Sequence, residues 1–141
     1  MGDDGVGIKV IECIHENNLL VIAGVQAIEI GGNLLNVLSY FRDDVESILF
    51  VDATRMGLAP GEYRVFSLSE VSIDTREFSN ISTHEGDLLK VVALAQETGY
   101  HIPPVTIMGI EPFSMASKME LSPLLQAQLL HYAREATATI G

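Results

Sequence analysis

The stretch Ser47-Ile-Leu-Phe-Val-Asp-Ala53 is an unbroken apolar run that ends in an acid. Such a run, bounded by polar residues, reads as a central β-strand buried on both faces, with Asp52 at its carboxyl end. Downstream, residues 85–98 carry Leu88, Val92 and Ala95 at helical spacing, with Gly99 placed as a C-terminal cap. Pro104-Val-Thr-Ile-Met-Gly-Ile-Glu-Pro112 then supplies a second buried strand. Two buried strands joined through a helix form the unit of a parallel sheet. The expectation is therefore an α/β protein: a three-layer α/β/α sandwich with a mostly parallel, twisted sheet. In such sheets the functional groups gather beyond the carboxyl ends of the strands.

The same pattern continues outward from this centre. Val6, Val10 and Ile14 form one apolar row of a helix over residues 6–17, with Ile8 and Ile11 beside it and Lys9, Glu12 and Glu16 on the polar side. Residues 25–30, VQAIEI, read as a strand, followed by Gly31-Gly32 and a short helix from about Asn33 to Tyr40. GEYRVFSL, residues 61–68, reads as an antiparallel or edge strand, and Leu121, Leu125, Leu129 and Tyr132 mark one stripe of a C-terminal helix. No repeat or linker interrupts the order, and residues 1–141 are read as a single domain.

Composition narrows the functional classes. Apolar residues make up 48% of the 141, and the net charge is −11 from eight basic and nineteen acidic residues. That field repels nucleic acid, whose binding rests on clustered Lys and Arg. No apolar run reaches the roughly 18 residues of a membrane span. A signal peptide is not visible, and the single Cys13 excludes an intrachain disulfide framework, so a cytoplasmic location is expected.

Three places carry candidate chemistry. The opening GDDGVG, residues 2–7, precedes a helix, but it lacks Lys and its two carboxylates would repel a phosphate. Asp3 and Asp4 either cap the helix, or one of them caps while the other faces a cation. Asp52 must be solvated, paired or metal-bound, because burying an unpaired carboxylate is costly. Of His15, His84, His101 and His131, only His84 stands immediately before an apolar-periodic helix in a loop where strand ends converge. The run HEGDL is not HExxH, since Leu88 occupies the second His position. Two carboxylates and one imidazole on separate connections would suit a divalent transition metal with open positions.

Taken in series, MGDDGVG, IGGN, VDATRMGLAPG, STHEGDLL and IMGIEP with LSP resemble the hydrogenase maturation endopeptidases, in the same order from Gly2 to about Pro123. The resemblance implies the α/β/α fold and an endopeptidase that trims the C-terminal extension of the nickel-containing large subunit of [NiFe] hydrogenases. It also implies a metal-contacting triad, which falls here on Asp4, Asp52 and His84. Nickel carried by the large-subunit precursor is the implied metal, with another divalent ion as a substitute, and the precursor is the implied partner. Two departures stand out. Ile30 precedes the paired glycines where the family often has an acid, and the family's first apolar strand, upstream of the acids, has no counterpart before Met1. Either Met1 is an internal methionine of a longer reading frame or the start is trimmed; if the strand is absent, low stability or a sheet edge filled by another chain is expected. A non-catalytic nickel-sensing or escort module on the same fold is the alternative function, and a domain in which Asp4 and Asp52 merely cap is a third.

Overall fold

The computed structural model describes residues 5–20, 24–29, 34–70, 84–113 and 121–140. In chain order these form helix α1 (Val6–Glu16), a 3₁₀ helix (Leu34–Tyr40), strands β1 (Ile48–Ala53) and β2 (Tyr63–Ser67), a 3₁₀ turn (Leu68–Glu70), helix α2 (His84–Glu97), strand β3 (Val105–Ile110), and helices α3 (Pro123–Ala127) and α4 (Leu129–Ile140). The fold is mixed α/β, with a small open sheet of order β1-β3-β2.

Backbone pairing fixes the direction of each strand. Ile48 N–H donates to Pro104 O and Thr54 N–H to Ile110 O, both at 2.9 Å, so β1 and β3 run parallel. At the far end Gly61 N–H donates to Glu111 O and Glu111 N–H to Glu62 O, both at 2.8 Å, which turns β2 antiparallel to β3. β2 is thus the antiparallel edge strand that its sequence predicts. The expectation for β1 needs correcting. Among the described residues it pairs only with β3, and five of its six residues are half-buried, whereas β3 is the central strand and almost wholly buried. An apolar run alone does not distinguish a centre from an edge, because burial also needs a neighbour on each side.

The chain divides into two compact units: Met1–Glu29 with Leu49–Val65 and Ile107–Gly141, and Ile30–Ile48 with Phe66–Thr106. In the first, α1 packs on α4. Val6, Val10 and Ile14 meet Met108, Ile110, Leu121, Leu125, Leu129 and Tyr132 in one core. The predicted apolar rows of both helices point inward. The C-terminal stripe is carried by two helices, not one: Ser122 caps α3 by accepting from Leu125 N–H, Pro123 occupies the first turn, and Gln128 separates α3 from α4. In the second unit α2 contacts the 3₁₀ helix, and Val37, Phe41, Leu88, Val91 and Ala95 are buried. Val91 takes the inward place expected of Val92, one residue of helical phase away.

Helices α1 and α2 end by one device. Tyr100 N–H reaches Ala95 O and Gly99 N–H reaches Gln96 O, with Gly99 at φ 82°. Leu19 N–H reaches Ile14 O and Asn18 N–H reaches His15 O, with Asn18 at φ 50°. Both are Schellman closures, which need a left-handed residue that Gly and Asn tolerate best. Residues 25–29 form no strand, contrary to expectation, and Ile30 lies outside the described residues. Ala27 O there meets the Nε2 of His15 at 2.8 Å, so this backbone is tied to a side chain and not to a ladder.

Candidate functional site

Because β1 and β3 are parallel neighbours, their carboxyl ends lie side by side, and each brings an acid there. Asp52 is the penultimate residue of β1 and Glu111 follows the last residue of β3. Asp52 is half-buried, and its Oδ1 accepts from the N–H of Ala53 at 2.8 Å. Glu111 is 5% exposed, and its Oε1 accepts from Met56 N–H at 2.7 Å and Leu58 N–H at 2.9 Å. One carboxylate oxygen thereby supplies partners for two loop amides that would otherwise need water.

The loop that Glu111 holds, residues 54–62, is also constrained at both ends. Ala59-Pro60-Gly61-Glu62 closes on the bond from Glu62 N–H to Ala59 O at 3.0 Å, with Pro in the second position and Gly61 at φ 88° in the third. That is the chemistry of a type II turn. The two bonds of Gly61 and Glu62 to Glu111 then form a bulge with glycine in the left-handed position. The hydroxyl of Tyr132, fully buried, donates to Gly61 O at 2.5 Å. At the other end a Cβ on Gly109 would stand 2.9 Å from both Cβ and Oγ1 of Thr54 and 3.2 Å from Sδ of Met56. Only glycine leaves room for that approach. Thr54 Oγ1 is buried with no hydrogen-bond partner among the described residues.

Gly7 connects the first helix to this end of the sheet. A Cβ there would collide with the backbone carbonyl of Val51, and it would lie 3.5 Å from the Cα of Asp52. The first turn of α1 therefore rests directly on the β1 backbone beside the acid. The cap position falls on Gly5, which offers no side-chain acceptor, instead of on Asp3 or Asp4.

Of the three residues singled out from sequence, Asp52 is placed at a strand end as expected. Asp4 lies outside the described residues, as do Asp3 and the Gly31-Gly32 pair. His84 opens α2 and belongs to the second unit, while Asp52 belongs to the first; the His84 side chain is outside what is described. Among the described residues no three His, Cys, Asp or Glu side chains cluster as a metal site would. The remaining histidines fall elsewhere. His101 sits 3.3 Å from Asp43 on the surface, and His131 makes ring contacts with Tyr63 and Tyr132. Burial, and then the Glu135 carboxylate, push the Tyr63 phenol up from its usual 10.0.

Neither the bonding of Glu111 nor the packing of Gly7 is visible in the sequence by itself. The signal for Glu111 is an acid directly after a mostly apolar strand and before proline. For Gly7 it is a glycine at a position of the helix that otherwise faces the core.

Comparison with known proteins agrees with this architecture. A family model described as hydrogenase maturation protease matches residues 8–139. Comparison with curated protein sequences gives no match. Among solved structures, the hydrogenase maturating endopeptidase HybD from E. coli is similar with a TM-score of 0.76 at 20% identity, covering 99% of this chain and 84% of that one. The [NiFe] hydrogenase maturation protease HybD from Thermococcus kodakarensis has a TM-score of 0.64 at 25% identity, covering 99% and 90%. HycI from the same organism has a TM-score of 0.71 at 21% identity, covering 97% and 83%. No helix among the described residues is long and apolar enough to cross a membrane. With the match running over nearly its whole length, the chain belongs to the hydrogenase maturation protease family, a family of endopeptidases.

Proposed function

We propose that this protein removes the C-terminal extension of a nickel-loaded large-subunit precursor of a [NiFe] hydrogenase, in the cytoplasm. In this reading Asp4, Asp52 and His84 complete the coordination of the nickel that the precursor carries. The metal is then part of the substrate, and it serves to register the scissile bond against the enzyme. Two carboxylates and an imidazole are suitable donors for a divalent transition ion, and another such ion can replace nickel.

The observation that supports this most directly is the contact of Gly7 with the Val51–Asp52 backbone. Asp4 stands three residues upstream of Gly7, so its Cα lies no more than about 11 Å from that of Gly7. Chain connectivity thus supports, for the first acid, a place near the second at the carboxyl ends of parallel strands, where α/β sheets bind their ligands.

The test is cleavage of purified, nickel-loaded precursor, followed as a loss of mass from the large subunit. The wild-type chain is expected to cleave it and to leave nickel-free precursor intact. His84→Ala and Asp52→Asn are expected to be inactive while keeping the wild-type circular dichroism. A variant of either residue with normal activity removes it from the proposed role. Nickel-dependent binding without any mass change would indicate the escort module instead.

A further inference from the structure

We propose that Glu111 is a positioning residue of the cleavage reaction that acts as a hydrogen-bond acceptor, and that it is not the carboxylate that activates water. This rests on the reading that the protein cleaves a precursor at the strand ends. A buried acid one residue past the central strand, at the same end of the sheet as Asp52, is an obvious candidate for a general base. Its bonding indicates otherwise. Oε1 is occupied by two amides of its own chain, those of Met56 and Leu58. The backbone of the same residue is bonded in both directions to Gly61 and Glu62. Glu111 therefore closes the loop between Thr54 and Glu62 onto the end of β3 from both its main chain and its side chain.

That loop leaves β1 directly after Asp52 and Ala53. Its first residue is anchored by the bond from Thr54 N–H to Ile110 O and pressed against Gly109. Its last turn is held by Tyr132. Between these fixed ends, the amides of Met56 and Leu58 are satisfied by the Glu111 carboxylate. Without an acceptor there, the two N–H groups must find water, and the middle of the loop has to move outward to do so. The carboxylate thus sets the shape of the loop that follows Asp52 and Ala53, and through that shape it acts on cleavage.

Acceptor and base make opposite demands on one substitution. Glu111→Gln keeps an oxygen able to accept both amides, but it cannot take up a proton at neutral pH. Glu111→Leu removes both abilities at similar volume. The experiment measures cleavage of nickel-loaded precursor against pH for the full chain and both variants, together with hydrogen exchange at the Met56 and Leu58 amides. Glu111→Gln is expected to retain kcat/KM within about threefold of the parent, with an unchanged pH profile and both amides protected. Glu111→Leu is expected to lose about 100-fold, since a loop displaced by an ångström is enough for that, and to expose both amides. A Gln variant as inactive as the Leu variant, with its amides still protected, overturns the proposal in favour of a base. A folded Leu variant with protected amides overturns it as well. If Glu111→Leu does not fold, the Gln variant decides by itself. If the parent cleaves no precursor, the proposed function fails, while exchange still shows whether an acceptor at position 111 holds the loop.

Discussion

The carboxyl ends of β1 and β3 look alike in sequence and differ in what their acids bond to. LFVDA and IMGIEP are both apolar runs closed by a carboxylate. At the end of β3 the acid is buried and bonded to loop residues more than fifty positions away in sequence. At the end of β1 it is half-buried, and its Oδ1 bonds to the very next amide. A carboxylate that folds a loop must be taken out of water and supplied with donors, or its burial is prohibitively costly. One that meets a ligand has to keep a face that the ligand can approach. The difference shows that residue type and position at a strand end are insufficient to assign a role. The partners of each carboxylate have to be known as well: distant loop amides for Glu111, and the adjacent amide of Ala53 among the partners of Asp52.

The comparison breaks most visibly at Asp52. Asp52→Asn keeps an oxygen for the Ala53 amide and removes the charge, so the bond to that amide by itself predicts no effect. Loss of a direct ligand should exceed the 10–100-fold typical of residues that merely orient ligands, and cleavage assays with nickel-loaded precursor are expected to show a drop beyond about 100-fold. At the β3 end, effects on stability should instead follow the bonds of the loop. Gly61→Ala forces a side chain into a left-handed turn and against Leu124 and Tyr132, and it is expected to cost about 1–2 kcal/mol in urea unfolding. Tyr132→Phe removes one donor to Gly61 and is expected to cost about 1 kcal/mol by the same measurement. Thr54→Val replaces a buried hydroxyl that has no partner among the described residues with a methyl of equal shape, and should be neutral or gain up to about 1 kcal/mol. A loss of cleavage in that last variant without a loss of stability would move Thr54 from the structural side of the comparison to the functional side.

Most of the architecture was legible because it is written in period and punctuation. The row Val6, Val10, Ile14 and the stripe Leu121, Leu125, Leu129, Tyr132 are buried as read, and Gly99 closes α2 as read. The edge character of β2, expected for GEYRVFSL, is found as well. Less legible was anything set by a partner distant in sequence. Whether β1 is central depends on its neighbours, and residues 25–29 have strand-forming side chains but no described ladder to join. At the site, Asp52 could be found because an acid ending an apolar run is anomalous by itself. The role of Glu111 could not, because it depends on where the amides of Met56 and Leu58 arrive in space. The places of Asp4 and His84 rest on the family resemblance and on chain connectivity.

The seating of Gly7 on the Val51 carbonyl has an evolutionary consequence. When two side chains collide, a trimmed partner elsewhere can restore the fit, so such lesions acquire second-site suppressors. Here the obstacle is main-chain oxygen, which every amino acid at position 51 carries alike. A selection started from Gly7→Ala should therefore return revertants to glycine and no compensating change at residue 51. In any saturation survey scored by activity, position 7 will be intolerant of every side chain, for a reason of packing.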